Sequence, residues 1–279
     1  MLLNLLIDFL LSLMKDKGVK EKEKIEIVEP VTDSIPLLIP VDNNVIVPVE
    51  PTKEKEFKPV IIESFLPKSQ YCAEVTDKEM IVLHHTVGGD SSSTFAYWLG
   101  SKEKVATHFL VDRNGTITKC FDEKYWAYHL YVASPGNRIT KSHKKISSEY
   151  DKKSIGIECC NLGQVTLKNG IFYDLYKRAV HPDKVIKIKS YKGYEYWEKY
   201  TDEQLKAIEY LILTLCDKYP KIKEKAKLQT DYSDISEISQ EALEFKRGII
   251  GHANLRTDKF DVAPQPQLIE MLNKIHTKL

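Results

Sequence analysis

The chain has 279 residues, of which 42% are hydrophobic and 29% are charged, enough to bury one substantial core with length left over for a tail. Lysine and arginine number 41 against 40 acidic residues, so the net charge of +1 gives no field that would gather nucleic acid or an anionic membrane. The five cysteines have neither an even count nor a Cys-x-x-Cys spacing, which argues against a disulfide framework.

The residues before position 60 are predicted to form a short amphipathic helix and a linker, and not a folded domain. Residues 1–14 are almost entirely apolar with helical spacing, but they carry Asp8, lack a basic leader and are too short to cross a bilayer. We therefore interpret residues 1–16 as an amphipathic segment that docks on a membrane surface or another protein, and not as a cleaved signal peptide. Residues 17–59 join a mixed-charge run to repeated prolines and are predicted to be a linker.

Regular elements are predicted from residue 60 onward. The apolar run that begins at residue 80 leads straight into His84 and His85, which indicates a buried strand that ends in a site. The Asn114-Gly115 pair predicts a hairpin turn, and Thr201 with Gln204 predicts a capping box at a helix start. The predicted elements are strand 80–83, a helix capped by serines 91–93 and running to 98, strands 105–112, 116–120 and 154–160, a helix from 201 toward 220, a strand near 249–250 and a helix over 268–275.

The alternation of these elements predicts the fold class. Strands and helices alternate irregularly, and the hairpin excludes a purely parallel sheet. We predict an α/β fold over residues 60–279, with a mixed central β-sheet flanked by α-helices and a site at the strand ends, preceded by the N-terminal helix and Pro-rich linker. Residues 163–200 form an aromatic-rich insertion, which would either wall a substrate groove or pack as a surface excursion.

Two strand-end histidines and one carboxylate form a candidate catalytic zinc set. His84 and His252 follow apolar strands, and Asp261 lies nine residues after His252. A catalytic zinc ion keeps three protein ligands and a water whose pKa falls to about 7, which suits amide hydrolysis. The reaction also needs a carboxylate to move a proton and a cation to stabilise an oxyanion, and Glu158 and Lys259 are the candidates.

Several short motifs occur together in an order typical of one enzyme family. They are Leu83-His84-His85-Thr86, Thr107-His108-Phe109, Asn114-Gly115-Thr116, Trp126-Ala127-Tyr128-His129, Ser154-Ile155-Gly156-Ile157-Glu158 and Gly251-His252. Over residues 60–279 the chain resembles the type 2 N-acetylmuramoyl-L-alanine amidases, a family that includes phage amidases, the bacterial anhydro-muropeptide amidase and the peptidoglycan recognition proteins. The resemblance implies a Zn2+ hydrolase that cuts peptidoglycan between N-acetylmuramic acid and L-alanine.

The resemblance carries the ligand roles onto three positions of this chain. His84, the first histidine of the His-His-Thr motif, and His252 would bind Zn2+, and Asp261 would be the third ligand. The family places a lysine two residues before this ligand, which is Lys259 here. It usually places Pro-Gly after the ligand, and this sequence has Val262-Ala263 instead.

The family supplies its proton shuttle in one of two ways. Some members use a tyrosine before the histidine of the second strand, and others use a glutamate in the Ile-Gly-Ile-Glu strand. Thr107 occupies the tyrosine position here, so the chain resembles the glutamate subtype, with Glu158 as the shuttle. His129 resembles the motif histidine that lines the substrate cleft, and we predict that Trp126 and Thr86 also bind substrate.

Two other functions remain open at this point. Some relatives recognise peptidoglycan without cutting it, so the chain could be a non-catalytic binding module, and the ligands cannot distinguish polymeric wall from released anhydro-muropeptides. The expected partner is peptidoglycan, with no nucleic acid, and the chain is expected to be a monomer. The compact domain and the lack of a secretion signal favour a phage endolysin, held in the host bacterial cytoplasm until its release to the cell wall. A bacterial enzyme would instead be cell wall-associated.

Overall fold

The structure, a computed structural model, describes residues 57–139 and 147–279. The predicted amphipathic segment of residues 1–16 and most of the linker of residues 17–59 lie outside the described residues. None of the helices within the described ranges is long and apolar enough to cross a membrane.

Most of the apolar runs of the sequence form strands. In the described residues the strands are β1 (Ile61–Glu63), β2 (Met80–His85), β3 (Phe109–Val111), β4 (Ile117–Lys119), β5 (Ser154–Cys159), β6 (Gln164–Lys168), β7 (Ile171–Tyr173), β8 (Ala179–Val180), β9 (Val185–Tyr191), β10 (Tyr194–Glu198) and β11 (Ile249–Gly251). The helices are α1 (Ser91–Gly100), α2 (Ser147–Lys153), α3 (Asp202–Lys218), α4 (Pro220–Leu228), α5 (Gln240–Leu243) and α6 (Pro266–Ile275). Short 3₁₀ turns lie at Lys68–Gln70, Pro182–Lys184, His252–Asn254 and His276–Lys278.

The central sheet is mixed, as predicted. Its six strands lie in the order β1-β4-β3-β5-β2-β11. Every neighbouring pair is parallel except β3 and β4, which form the antiparallel hairpin predicted from Asn114-Gly115. Gly115 takes a φ of 81° in that turn, a value that glycine adopts without steric cost.

Strand β2 is buried along its whole length, and its two faces pack against different helices. Ile81 and Leu83 share a buried cluster with side chains of α3 and α6. Met80 and Val82 point to the opposite face, where they pack with side chains of α2 and α5. The predicted arrangement of a mixed sheet flanked by helices is therefore confirmed.

Three local predictions need correction. The N-cap of α1 is Asp90, because its Oδ1 accepts the backbone N–H of Ser93 at 3.0 Å, and no serine of 91–93 takes that position. The predicted strand 105–112 is reduced to Phe109–Val111 in the structure. Its regular pairing with β5 begins only at Phe109, and just before it the N–H of Gly156 donates to the ring Nδ1 of His108 at 3.0 Å.

The third correction concerns the predicted capping box. Thr201 caps α3 as expected, with its Oγ1 accepting the N–H of Gln204 at 3.1 Å. The side chain of Gln204 does not complete the box, because its Nε2 donates to the carbonyls of Val111 and Cys160, both at 3.0 Å. This buried amide instead ties α3 to the ends of β3 and β5.

The aromatic-rich insertion folds as a second sheet. Its five strands are antiparallel in the order β8-β7-β6-β10-β9. Trp197 of β10 is fully buried and shares a small cluster with Ile188, Phe260 and Ala263. One face of the insertion therefore packs on the loop that carries Asp261. A second role for the insertion, as the wall of a substrate groove, stays a prediction.

Candidate metal centre

Three side chains converge at the carboxyl end of the parallel strands. His84 ends β2, His252 directly follows β11, and Asp261 lies on the next loop; all three are buried. The Nδ1 atoms of the two histidines lie 3.0 Å apart, and each lies 3.0 Å from Asp261 Oδ2. These residues form a group that could hold a metal ion. The structure thus brings together the three predicted ligands.

Hydrogen bonds behind His84 determine which of its nitrogens carries the proton. Ser154 Oγ donates to the carbonyl of Tyr150 at 2.6 Å, so it can accept from His129 Nε2 at 2.9 Å. His129 Nδ1 is then the acceptor for His84 Nε2–H, also at 2.9 Å. Because the proton of a neutral His84 is used in this bond, its Nδ1 presents a lone pair to the cluster.

His252 is oriented in the same way. Its Nε2 donates to the carbonyl of Leu130 at 3.1 Å, which leaves Nδ1 bare toward the cluster. Burial lowers the pKa of His252 to about 3, although the neighbouring carboxylate of Asp261 acts in the opposite direction. Burial alone would raise the pKa of Asp261, but the two histidines hold it well below its ordinary value. One carboxylate oxygen and two imidazole Nδ1 atoms that face the same point are a donor set that suits Zn2+.

A glycine on β5 makes room for His129. A Cβ placed on Gly156 would lie 2.9 Å from Thr107 Cγ2 and 3.0 Å from His129 Nδ1. Any side chain at this position would therefore displace the ring that orients His84. Burial also lowers the pKa of His129 well below its ordinary value, which keeps it in the neutral form that the hydrogen-bond chain requires.

Glu158 lies on β5 beside the candidate ligands. In the parallel pairing of β2 and β5 it is the direct partner of His84. Burial raises the pKa of Glu158 to about 7, and the ammonium group of Lys259 acts in the opposite direction. A carboxylate with a pKa near neutrality can both accept and return a proton at physiological pH. Glu158 and Lys259 thus lie within electrostatic range of each other and of the ligand cluster.

The residues predicted to bind substrate have other contacts in the structure. Trp126 is buried, and its Nε1 donates to Glu74 at 2.9 Å. Thr86 is partly buried, and its Oγ1 accepts the backbone N–H groups of Gly88 and Asn161, each at 3.2 Å. His129 is partly buried behind His84. A role for these three residues in substrate binding stays a prediction.

Two residues of the site were not singled out from the sequence. Ser154 belongs to a quoted motif, and its spacing of two and four residues from Gly156 and Glu158 places all three on one face of β5. This alternation is the signal that would have identified it. Asp151 accepts the N–H groups of His129 at 2.9 Å and Leu130 at 3.0 Å, and no short-range pattern indicates that contact.

Comparison with known proteins gives a family match. A family model described as N-acetylmuramoyl-L-alanine amidase matches residues 75–265. No curated protein matches the sequence. Among solved structures, the chain is similar to PlyL, with 12% identity, a TM-score of 0.41 and coverage of 77% of this chain and 96% of that chain. It is also similar to the N-acetylmuramoyl-L-alanine amidase LysC from Clostridium intestinale URNW, with 16% identity, a TM-score of 0.38 and coverage of 79% and 97%. A third similar structure is a selenomethionine derivative of AmpD, with 16% identity, a TM-score of 0.39 and coverage of 76% of this chain and 92% of that chain.

Proposed function

Because the chain belongs to the N-acetylmuramoyl-L-alanine amidase family, we propose that it is a Zn2+-dependent enzyme that hydrolyses the amide between N-acetylmuramic acid and L-alanine in peptidoglycan. The observation that carries this proposal is the triangle of His84 Nδ1, His252 Nδ1 and Asp261 Oδ2, with sides of 3.0 Å. Two sets of hydrogen bonds support it, because the chain from His84 through His129 and the bond from His252 to Leu130 leave the Nδ1 atoms free to bind a cation.

The chemistry divides between the metal and the residues beside it. Zinc, when bound, would supply a Lewis acid that makes water nucleophilic near neutral pH and polarises the scissile carbonyl. Glu158 then acts as general base, taking a proton from the attacking water. The same carboxyl group returns the proton to the nitrogen of L-alanine as the carbon–nitrogen bond breaks. A pKa of about 7 for Glu158 supports both halves of this transfer.

Lys259 has the second role in the proposed reaction. Its ammonium group stabilises the negative charge that develops on the carbonyl oxygen during attack by water. Its position supports this assignment, because Lys259 lies two residues before Asp261 and its charge acts on both Glu158 and His252. The chain keeps this lysine, although Val262-Ala263 replaces the Pro-Gly that usually follows the third ligand in the family.

One experiment tests the function directly. The purified chain is incubated with bacterial peptidoglycan, with and without a chelator and with zinc added back, and the released fragments are identified by mass spectrometry. We expect free stem peptides with a new amino-terminal alanine, lost on chelation and restored by zinc. The Glu158→Gln variant is the matched control, since it keeps all three candidate ligands.

Other outcomes of this experiment identify the alternatives. Zinc binding without release from walls of several chemotypes, but with cleavage of anhydro-muropeptides, would restrict the substrate to released fragments. Binding to the wall without any cleavage would indicate a recognition module. Cleavage of intact walls would favour a lytic enzyme. We propose a monomeric phage endolysin that stays in the host bacterial cytoplasm before its release to the cell wall.

A further inference from the structure

The tip of the β9–β10 hairpin contacts the loop that carries Asp261. Lys192, at this tip, donates from its Nζ to the carbonyl of Thr257 at 3.0 Å and to the carbonyl of Lys259. The same ammonium lies 5.2 Å from the centre of the Phe260 ring. One side chain of the insertion therefore holds three of the four residues that directly precede Asp261.

The hairpin presents this lysine in a defined way. Tyr191 and Tyr194 are paired, so Lys192 and Gly193 form a two-residue turn, with φ values of 48° and 88°. Turns with two positive φ angles match the twist of a hairpin. Tyr191 is anchored by its hydroxyl, which donates to the carbonyl of Ser236 at 3.1 Å. The turn is thus tied to the Ser236 segment as well as to the loop that Lys192 contacts.

The first residues of the same loop are held by a different pair of side chains. Asn137 Oδ1 accepts the N–H of Thr257 at 3.2 Å. Arg256 Nη1 donates to the carbonyl of Leu130 at 3.0 Å, the carbonyl that also accepts from His252 Nε2. These contacts hold the loop at Arg256 and Thr257, whereas Lys192 also binds the carbonyl of Lys259, two residues before the third ligand.

We propose that Lys192 is a positioning residue for the metal centre: by binding the carbonyls of Thr257 and Lys259, it sets the Asp261 carboxylate and the Lys259 side chain in their places. This inference rests on the proposed function. Lys192 is partly buried and contacts the backbone and one ring of the loop, and its charge also acts directly on Asp261. Because a cation beside a ligand carboxylate opposes binding of a metal ion, loss of the charge alone would strengthen metal binding. A weaker metal affinity after removal of Lys192 therefore reports the lost carbonyl contacts.

The test compares two lysine-to-methionine variants of the full chain. Lys192→Met removes the two carbonyl contacts, and Lys189→Met removes the same charge from an exposed position on the same hairpin. Four measurements are made: the thermal midpoint without metal, the zinc dissociation constant by chelator competition, the visible spectrum with cobalt in place of zinc, and steady-state kinetics at saturating zinc, which give kcat and KM. Lys192→Arg is the conservative variant, because it keeps a cation that can donate to both carbonyls.

The expected result separates positioning from stability. Loss of a group that orients metal ligands typically weakens metal affinity by roughly 10- to 100-fold, and we expect Lys192→Met to reach at least the lower value. We also expect a shifted cobalt spectrum and a lower kcat with KM nearly unchanged. Lys189→Met should match the wild type throughout, and Lys192→Arg should recover most of the affinity.

Contrary results would overturn the inference and can be told apart from failure of the proposed function. If the wild type binds no zinc or cuts no peptidoglycan, the proposed function fails before any variant is compared. If the wild type does both and Lys192→Met loses only thermal stability, the lysine is structural and the inference is wrong. Should Lys192→Met not fold, Lys192→Gln, which keeps one donor, decides the question by the same zinc titration.

Discussion

Replacing His129 by phenylalanine should weaken zinc binding without changing any proposed ligand. The substitution keeps a ring in the space above Gly156 but removes the acceptor at 2.9 Å from His84 Nε2. His84 can then move its proton to Nδ1 and donate to Asp261, which lies 3.0 Å away. Zinc would have to displace that proton before it could bind.

The size of the effect follows from the lost hydrogen bond. Leaving the buried Nε2–H of His84 without an acceptor costs about 1–3 kcal/mol. Since a tenfold change in affinity corresponds to about 1.4 kcal/mol, the zinc dissociation constant should rise by roughly 5- to 150-fold. His129→Asn should lose much less, because its amide oxygen can accept from His84 in place of Nδ1.

Competition with a chromogenic chelator measures this constant, and circular dichroism shows that the variant is folded. His181→Phe is the matched control. It also replaces one imidazole by a phenyl ring, but the His181 side chain is 68% exposed and lies outside the metal centre. If His129→Phe bound zinc within twofold of the wild type, the hydrogen-bond chain would not orient His84. His129 would then not be the group that keeps the proton of His84 away from Nδ1.

Three further predictions test the site and its surroundings. Glu158→Gln should keep zinc but lower turnover by roughly 100-fold or more, as expected for a lost general base; unchanged turnover would remove Glu158 from the mechanism. Asp261→Ala should reduce the zinc content of the purified protein much more than Lys259→Ala, which should mainly slow catalysis; equal zinc contents would contradict the ligand assignment. Burial raises the pKa of Asp151 from 3.8 to about 6. The unfolded chain therefore releases this proton at a lower pH than the folded chain, and the wild type loses stability as the pH rises between these two pKa values. Relative to the wild type, Asp151→Asn should therefore gain up to about 3 kcal/mol in unfolding free energy between about pH 4 and pH 6.5, and a pH-independent difference in denaturant unfolding would exclude this effect.

Local patterns predict five of the six strands of the central sheet, all except β1. The apolar run of β2 and its abrupt change to His84 predicted both a buried strand and a site at its end, because hydrophobic periodicity is a short-range property. The Asn114-Gly115 turn likewise predicted the single antiparallel pair of the central sheet, β3 with β4. Such signals need only a few neighbouring residues.

Contacts between distant segments were not accessible in this way. The bond from Lys192 to Thr257 joins residues 65 positions apart, and the bond from His84 to His129 joins residues 45 apart. Neither follows from periodicity, because each depends on how the second sheet and the motif loops pack in three dimensions. The aromatic composition of the insertion was visible in the sequence, but its packing against Phe260 was not.

The spacing of the candidate ligands along the chain has a consequence for folding. His84 is separated from His252 by 168 residues and from Asp261 by 177. An ion held by all three would join the early and late parts of the domain and would bind only after both have assembled. Such an ion acts as a long-range cross-link: free zinc at 100 times its dissociation constant would stabilise the native chain by about 2.7 kcal/mol. Metal loading would therefore protect the whole domain from proteases, and susceptibility to digestion would report occupancy of a site far from any cleavage point.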